Sequence, residues 1–273
     1  MYTYPIVLFV ISLLVAGWVF ISPRRPEQSF RRYYGRPAFV SDLIFLVFNG
    51  HFLGSLLATV ANAWVLPPFD HLLDTLGLRG GLYRNLAQGW PLWVQIPVLL
   101  VVLDFLQWCI HNLLHRIPWL WELHKVHHSV KDGEMDWIVS FRFHWGEVVV
   151  YKTLQYLPLA FLGFGGDALM FHAIFGTLWG HLNHANLDLG YGAWRYVLNS
   201  PRMHLWHHDA DAREPKNFGI LFSCWDWLFG TAYLPDGPPA RLGFDGVEAF
   251  PTRFVGQNLW PLTRLWQRTQ RED

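Results

Sequence analysis

The sequence predicts an all-α protein whose helices cross a membrane four or five times. Hydrophobic residues make up 52% of the 273 residues and charged residues only 15%, whereas soluble domains carry roughly 25% charged residues. Several apolar segments approach the roughly 20 residues that a helix needs to cross the hydrocarbon layer. The 16 tryptophans suit a chain with rings at the membrane–water interface. A net charge of zero argues against nucleic acid as a partner.

The N-terminal element, residues 1–40, is predicted to be a membrane anchor followed by a basic linker. Residues 3–22 are apolar and uncharged, long enough to span about 30 Å of hydrocarbon. A cleaved signal peptide is the alternative, but it would carry positive charge before its apolar run. Here the charge follows the run, which places the N-terminus outside and the linker in the cytoplasm. The basic residues are Arg24, Arg25, Arg31, Arg32 and Arg36.

The second and third spans are predicted at residues 42–65 and 91–110. The connection at 66–90 contains Pro67 and Pro68 and has balanced charge, as expected of an exterior loop. The third span therefore returns toward the cytoplasm, and its helix is expected to continue past the membrane surface.

A helical hairpin supplies the remaining spans, with arms at 147–164 and 167–184 and a glycine-rich turn at 163–166. Five spans result, or four if the hairpin is re-entrant. We assign all of these segments to one membrane domain, residues 41–235. Residues 236–273 are then a polar C-terminal tail on the cytoplasmic side.

Histidine is concentrated in four short clusters. Imidazole nitrogens bind transition metals, and i, i+3 and i, i+4 spacings place two rings on one face of a helix. The predicted topology puts all four clusters on the cytoplasmic side, at the ends of membrane helices and beyond them. The clustered residues are His111, His115, His124, His127, His128, His181, His184, His204, His207 and His208.

Ten imidazoles exceed the three or four ligands that one zinc ion needs. The clusters therefore predict two metal ions in an almost purely histidine shell, with each His-x-x-His-His element presenting its three rings on one helix face. A structural histidine at the membrane interface is the alternative for any single ring. Zinc accepts imidazole without redox chemistry, whereas iron, manganese and copper would be redox-active with the same ligands.

A few carboxylates accompany the clusters. Asp104 lies two turns before His111, where it either receives the ring N–H of a metal-bound histidine or makes a packing hydrogen bond between helices. Asp188, Asp209 and Asp211 are candidates to offset the charge of the metal ions, although the last two also suit a solvated loop.

These motifs, in this order, resemble the fatty acid hydroxylase and sterol desaturase superfamily of integral membrane di-iron oxygenases, over roughly residues 95–235. The matching elements are Asp104-x-x-x-Trp108-x-x-His111-x-x-x-His115, Trp121-x-x-His124-x-x-His127-His128-Ser129, Arg142-x-His144-x-x-Glu147, His184-Ala-Asn186, Pro201-x-x-His204-x-x-His207-His208, Asn217-Phe218-Gly219 and Trp225-Asp226-x-Leu228-Phe229-Gly230-Thr231.

The resemblance implies a cap of cytoplasmic helices that holds two irons over the membrane and uses dioxygen. It implies all ten clustered histidines as ligands, including His181, although its spacing to His184 is i, i+3. Asn112 and Trp145 depart from the family's usual residues, which bears on local geometry. The residues expected to support the ligands are Asp104, Arg142, His144, Glu147, Asn186, Asp188 and Asn217.

The implied activity is hydroxylation or desaturation of a lipid C–H bond. The sequence has no dinucleotide-binding fingerprint and no haem or iron–sulfur motif, so the electrons are expected from a separate ferredoxin, cytochrome or reductase. Two other classes are considered. A membrane metal-binding or transport protein would place its ligands along a pathway within the bilayer, and a zinc-dependent lipid hydrolase would use three protein ligands with a general-base Glu.

Overall fold

The computed structural model describes residues 3–22, 36–82, 85–131 and 134–272. The described residues form helices and no strand, apart from two isolated β-bridges, which confirms the all-α prediction. Four of the five predicted linker arginines lie outside the described residues: Arg24, Arg25, Arg31 and Arg32.

Twelve α-helices are numbered here in chain order. They are α1 (Thr3–Ile21), α2 (Pro37–Val47), α3 (Gly54–Val60), α4 (Leu66–Thr75), α5 (Arg79–Leu82), α6 (Leu92–Arg116), α7 (Pro118–His128), α8 (Trp145–Ala160), α9 (Gly166–His184), α10 (Pro201–His207), α11 (Cys224–Phe229) and α12 (Phe254–Glu272).

The second predicted span does not end where the sequence analysis places it. Two π-helical segments, Phe48–Leu53 and Ala61–Val65, join α2, α3 and α4 into one 39-residue run from Pro37 to Thr75. Pro67 and Pro68 begin a helical segment instead of starting a loop, because a first helical turn needs no backbone N–H from its residues. The predicted exterior loop at 66–90 is therefore wrong in its first ten residues.

Two helices of the described residues are long and apolar enough to cross a membrane, judged by length and composition. They are the run Pro37–Thr75 and α6, each with a mean hydropathy of 1.8 over its most apolar window. The total of four or five spans stays a prediction.

The predicted hairpin is present as α8 and α9; its first arm ends four residues earlier than expected, and its second arm begins one residue earlier. Its turn requires glycine at Gly163, which has φ +74° and where a Cβ would lie 2.9 Å from the Cα of Asn85. Helix α1 packs near the C-terminal end of α9, because Val15 and Val19 lie in one hydrophobic cluster with Ile138 and Ala185. The N-terminal helix thus lies against the end of α9 that carries histidines.

The predicted C-terminal tail contains a long helix. Residues 235–239 are irregular, as expected, but α12 follows and packs through Phe254 and Trp260 into a cluster with Phe45 and Val126. Val126 belongs to α7, so the end of the chain supports a histidine-bearing helix.

Candidate metal centre

Nine of the ten predicted ligands converge in two adjacent groups. Within each group the candidate ligand atoms lie within 4.8 Å of one another. The groups adjoin where the ring centroids of His128 and His208 are 4.5 Å apart. Among the described residues, no carboxylate or thiol belongs to either group. The five-histidine group is His111, His115, His124, His128 and His207, and the four-histidine group is His127, His184, His204 and His208.

Each His-x-x-His-His element divides its rings between the two groups. On α7, His124 and His128 are one helical turn apart and enter the five-histidine group, whereas His127 enters the other. At α10 the assignment is reversed, since His204 and the following His208 enter the four-histidine group. Each element therefore supplies an i, i+4 pair to one group and a single ring to the other, and not three rings to one face.

Backbone carbonyls and one carboxylate fix the orientation of several rings. His111 donates its Nδ1–H to the Phe218 carbonyl at 2.8 Å, and His124 donates its own to Glu147 at 2.8 Å. Carbonyl and carboxylate oxygens only accept hydrogen bonds, so each contact leaves Nε2 as the nitrogen with a free lone pair. The Nδ1–H of His207 binds the Lys216 carbonyl and that of His184 binds the Gly180 carbonyl.

The inward nitrogens fit a cation. Nε2 of His111 and Nε2 of His124 lie 3.2 Å apart, although both of these rings carry their proton on Nδ1. Two lone pairs at that distance repel each other unless a positive ion lies between them. In the other group the Nδ1–H of His184 is likewise bound to a carbonyl, so its Nε2 offers a lone pair, and that atom lies 3.2 Å from the Nε2 of His127 and 2.9 Å from that of His204.

Burial keeps the rings in the protonation state that binds metals. Desolvation lowers the pKa of the buried imidazoles well below its ordinary value, and the neighbouring rings lower it further. The rings are therefore neutral near pH 7, with little competition from protons for their lone pairs. These pKa shifts apply to His124, His127, His128, His204, His207 and His208.

Asp104 binds the loop whose Phe218 carbonyl accepts the hydrogen bond from His111. Its carboxylate accepts hydrogen bonds from the backbone N–H groups of Leu221 and Phe222 and from the indole of Trp225. It does not contact a histidine ring, so the packing alternative considered from the sequence describes it better. Its effect on His111 is indirect, through the loop that carries the Phe218 carbonyl.

Asp226 has a parallel role that the sequence analysis did not assign. Its carboxylate accepts hydrogen bonds from the N–H groups of Phe218 and Gly219, from the Trp108 indole and from the Thr231 hydroxyl. Desolvation raises its pKa. In the sequence, only the position of Asp226 in the final motif indicated a role. Its contacts with Phe218 and Gly219, eight and seven residues earlier, follow no regular helical spacing.

Three other predicted supporting residues form hydrogen bonds with backbone groups or with side chains distant in sequence. Arg142 is buried and pairs with both carboxylate oxygens of Asp42, each contact at 2.6 Å. His144 accepts the Gly146 N–H and donates to the Asn258 carbonyl. Asn217 has φ +56° and donates to the Met203 and Tyr233 carbonyls, which shapes the loop before Phe218.

Asn186 also has a left-handed conformation, with φ +51°, and is buried just beyond the end of α9. It follows His184 by two residues, so its left-handed conformation ends the helical path of the chain directly after the last histidine of α9.

Two predicted site residues are not brought to the metal centre. His181 is buried, but its Nδ1 lies 2.7 Å from Ser140 Oγ and 3.0 Å from the Trp137 carbonyl, while its Nε2 lies 3.0 Å from Ser12 Oγ. The i, i+3 step from His184 turns the ring toward α1. The Asp188 side chain is 74% exposed and lies 3.9 Å from Arg202, so it offsets no charge in either group.

Comparison with known proteins places these elements in a family. The family model named fatty acid hydroxylase matches residues 96–231, the segment that contains all nine converging histidines. The chain belongs to the fatty acid hydroxylase and sterol desaturase superfamily. No solved structure matches the chain.

Its relatives in this superfamily include three kinds of enzyme. An ornithine lipid hydroxylase from Rhizobium tropici is 31% identical over 64% of this chain and 52% of its own length. An alkylglycerol monooxygenase from Xenopus tropicalis is 26% identical over 49% of this chain and 29% of its own. A Delta(7)-sterol 5(6)-desaturase from Gibberella zeae is 25% identical over 85% of this chain and 60% of its own. The chain thus spans between 29% and 60% of the length of these three relatives.

Proposed function

We propose that the chain is a membrane-bound di-iron oxygenase that hydroxylates or desaturates a C–H bond of a lipid, with dioxygen as co-substrate. The observation that carries this proposal is the pair of adjacent imidazole groups without a carboxylate ligand. The relatives named above support it, because their names describe a lipid hydroxylase, an alkylglycerol monooxygenase and a sterol desaturase.

The five-histidine group would hold one iron and the four-histidine group the other. When bound, the two irons would supply the redox chemistry that uses dioxygen to attack an alkyl C–H bond, which zinc lacks. We exclude His181 from this ligand set, because its two ring nitrogens already have partners on α1 and on the segment 137–140.

The protein's own groups prepare the lone pairs in advance. The carbonyls of Phe218, Lys216 and Gly180 accept Nδ1–H groups, so the rings that they orient direct Nε2 inward. Glu147 does the same for His124, and its carboxylate would balance part of the charge of a bound ion. Such outer contacts fix the tautomer and raise the basicity of a ligand. Burial of the rings excludes bulk water from the site.

The reaction needs electrons from outside the chain. Its sequence has no dinucleotide, haem or iron–sulfur motif, so a separate ferredoxin, cytochrome or reductase is the proposed donor. The N-terminus is proposed to lie outside, with the histidine clusters and the C-terminus in the cytoplasm where such donors occur. The basic segment after residue 22 supports this orientation.

The test is expression of the full chain in a lipid-producing host with added iron, anaerobic purification, and metal analysis. We expect two irons per chain, and lipid extracts with a new species heavier by one oxygen atom or lighter by two hydrogens. Growth under ¹⁸O₂ should label a hydroxyl product. His127→Ala and His207→Ala each remove a ligand from one group and should abolish the new species, whereas Asp188→Asn, at an exposed position, is the matched control.

The alternatives give different results in the same experiment. Bound zinc with lipid cleavage that continues without dioxygen would identify a hydrolase. Bound metal with unchanged lipids and metal-dependent flux across vesicles would identify a transport protein. Either outcome would contradict the proposal.

A further inference from the structure

The C-terminal helix α12 packs on the protein through Phe254 and Trp260 but leaves a second apolar stripe exposed to its surroundings. Val255, Leu259, Leu262 and Trp266 are 64%, 53%, 41% and 68% exposed. They follow the spacing i, i+4, i+7, i+11, which places them on one face of a helix. On another face, Gln257 and Asn258 are almost fully buried. A helix packed on a water-soluble cap would show the opposite arrangement.

Contacts at the start of α12 place it at one end of a candidate span. The ring of Phe254 packs edge-on against Phe45 and Phe48, with centroids 4.6 and 5.6 Å away. The Phe254 N–H donates to Ser41 Oγ, which in turn donates to the Thr252 carbonyl. These partners lie in the first turns of the run Pro37–Thr75. The same turns expose further apolar side chains: Val40, Leu43, Ile44 and Val47.

The charge of α12 fits a phospholipid surface. Its second half contains Arg264, Arg268 and Arg271, and Arg264 is exposed beside the ring of Trp260. An amphipathic helix with basic residues and a stripe of Leu, Val and Trp typically lies in the plane of the membrane interface, where anionic headgroups attract its cations.

We propose that α12 lies in the headgroup region of the bilayer, with its stripe inserted among the acyl chains, and thereby sets the height of the metal centre. The helix packs on α7 through the cluster that contains Val126, next to His127. His144 also donates to the Asn258 carbonyl at 2.9 Å, which ties α12 to the start of α8. The stripe is proposed to contact the lipid surface, and contact with a second copy of the chain is the alternative that the experiment tests. The membrane position does not depend on the reaction proposed above.

The experiment uses the full chain in nanodiscs, with Cys109 and Cys224 replaced by Ser and one cysteine introduced for an environment-sensitive fluorophore. Leu259→Cys and Leu262→Cys report on the stripe, and Asp188→Cys, at an exposed position outside α12, is the control. We expect lipids brominated in the acyl chain to quench the first two labels and not the third. Phosphatidylglycerol added to phosphatidylcholine should strengthen this quenching.

Equal access of an aqueous quencher to all three labels would overturn the proposal. Protection of the stripe labels that is lost on dilution of the chain, without bromolipid quenching, would instead show contact with a second copy. Iron content and lipid products, measured on the same preparations, test the proposed function separately.

Discussion

The two histidine groups use the same ligand type but differ in how their rings are held. In the five-histidine group, three rings have an outer acceptor: His111, His124 and His207. In the four-histidine group only His184 has one. The buried Nδ1 atoms of the other three rings have no hydrogen-bond partner among the described residues; these rings are His127, His204 and His208.

The difference extends to charge. Among the described residues, Glu147 is the carboxylate that forms a hydrogen bond with a ring of these two groups, and that ring is His124. The rings of the five-histidine group are therefore better oriented, and Glu147 is placed to balance the charge of an ion bound there. Because outer contacts commonly change metal affinity, the two positions are expected to differ in how firmly they hold iron.

The largest expected difference is in iron content, between a variant that lacks one ring of the four-histidine group and a variant that lacks one ring of the five-histidine group. His204 is central to the four-histidine group, with its Nε2 2.9 Å from that of His184 and 3.3 Å from that of His208. His204→Ala leaves three rings, of which one is anchored, so we expect one of the two irons to be lost. His115→Ala leaves four rings, of which three are anchored, so we expect both irons to remain, one of them more easily extracted. Iron per chain after gel filtration measures the difference, and equal losses in both variants would show that anchoring does not distinguish the groups.

Glu147→Gln should weaken one position selectively. The glutamine carbonyl can still accept the His124 N–H, but the negative charge is gone. Changes at such outer residues typically cost about 10–100-fold in metal affinity, so we expect a loss of that size at the five-histidine group alone. Competition with an iron chelator should show two phases, of which only the tighter one shifts. A uniform shift of both phases would remove the role given to Glu147, and Asp188→Asn should shift neither.

The contrast between the groups was only partly predictable from sequence. Helical spacing identified nine of the converging rings, because the i, i+4 relation is local. The crossing of His127 and His207 into the opposite groups depends on how α7 and α10 pack, which the spacing does not encode. The N–H groups that donate to Asp104 lie more than 110 residues away, so its partners could not be predicted from the local sequence. The stripe of α12 follows an i, i+4, i+7, i+11 pattern in the sequence, but the overall polarity of residues 236–273 led to the prediction of a polar tail.

His181→Ala should have the smallest effect on metal content. The Trp137 carbonyl accepts the Nδ1–H of His181, which leaves Nε2 as the acceptor for the Ser12 hydroxyl and unavailable to iron. We therefore expect both irons to remain, and the free energy of unfolding to fall by about 1–3 kcal/mol because buried hydroxyls lose their partner. Thermal unfolding in detergent and iron per chain measure the two quantities. Ser12→Ala should destabilise the protein less and in the same direction. Loss of one iron, as expected for His204→Ala, would instead identify His181 as a ligand. The four-histidine group would then have five ligands, as many as the other group.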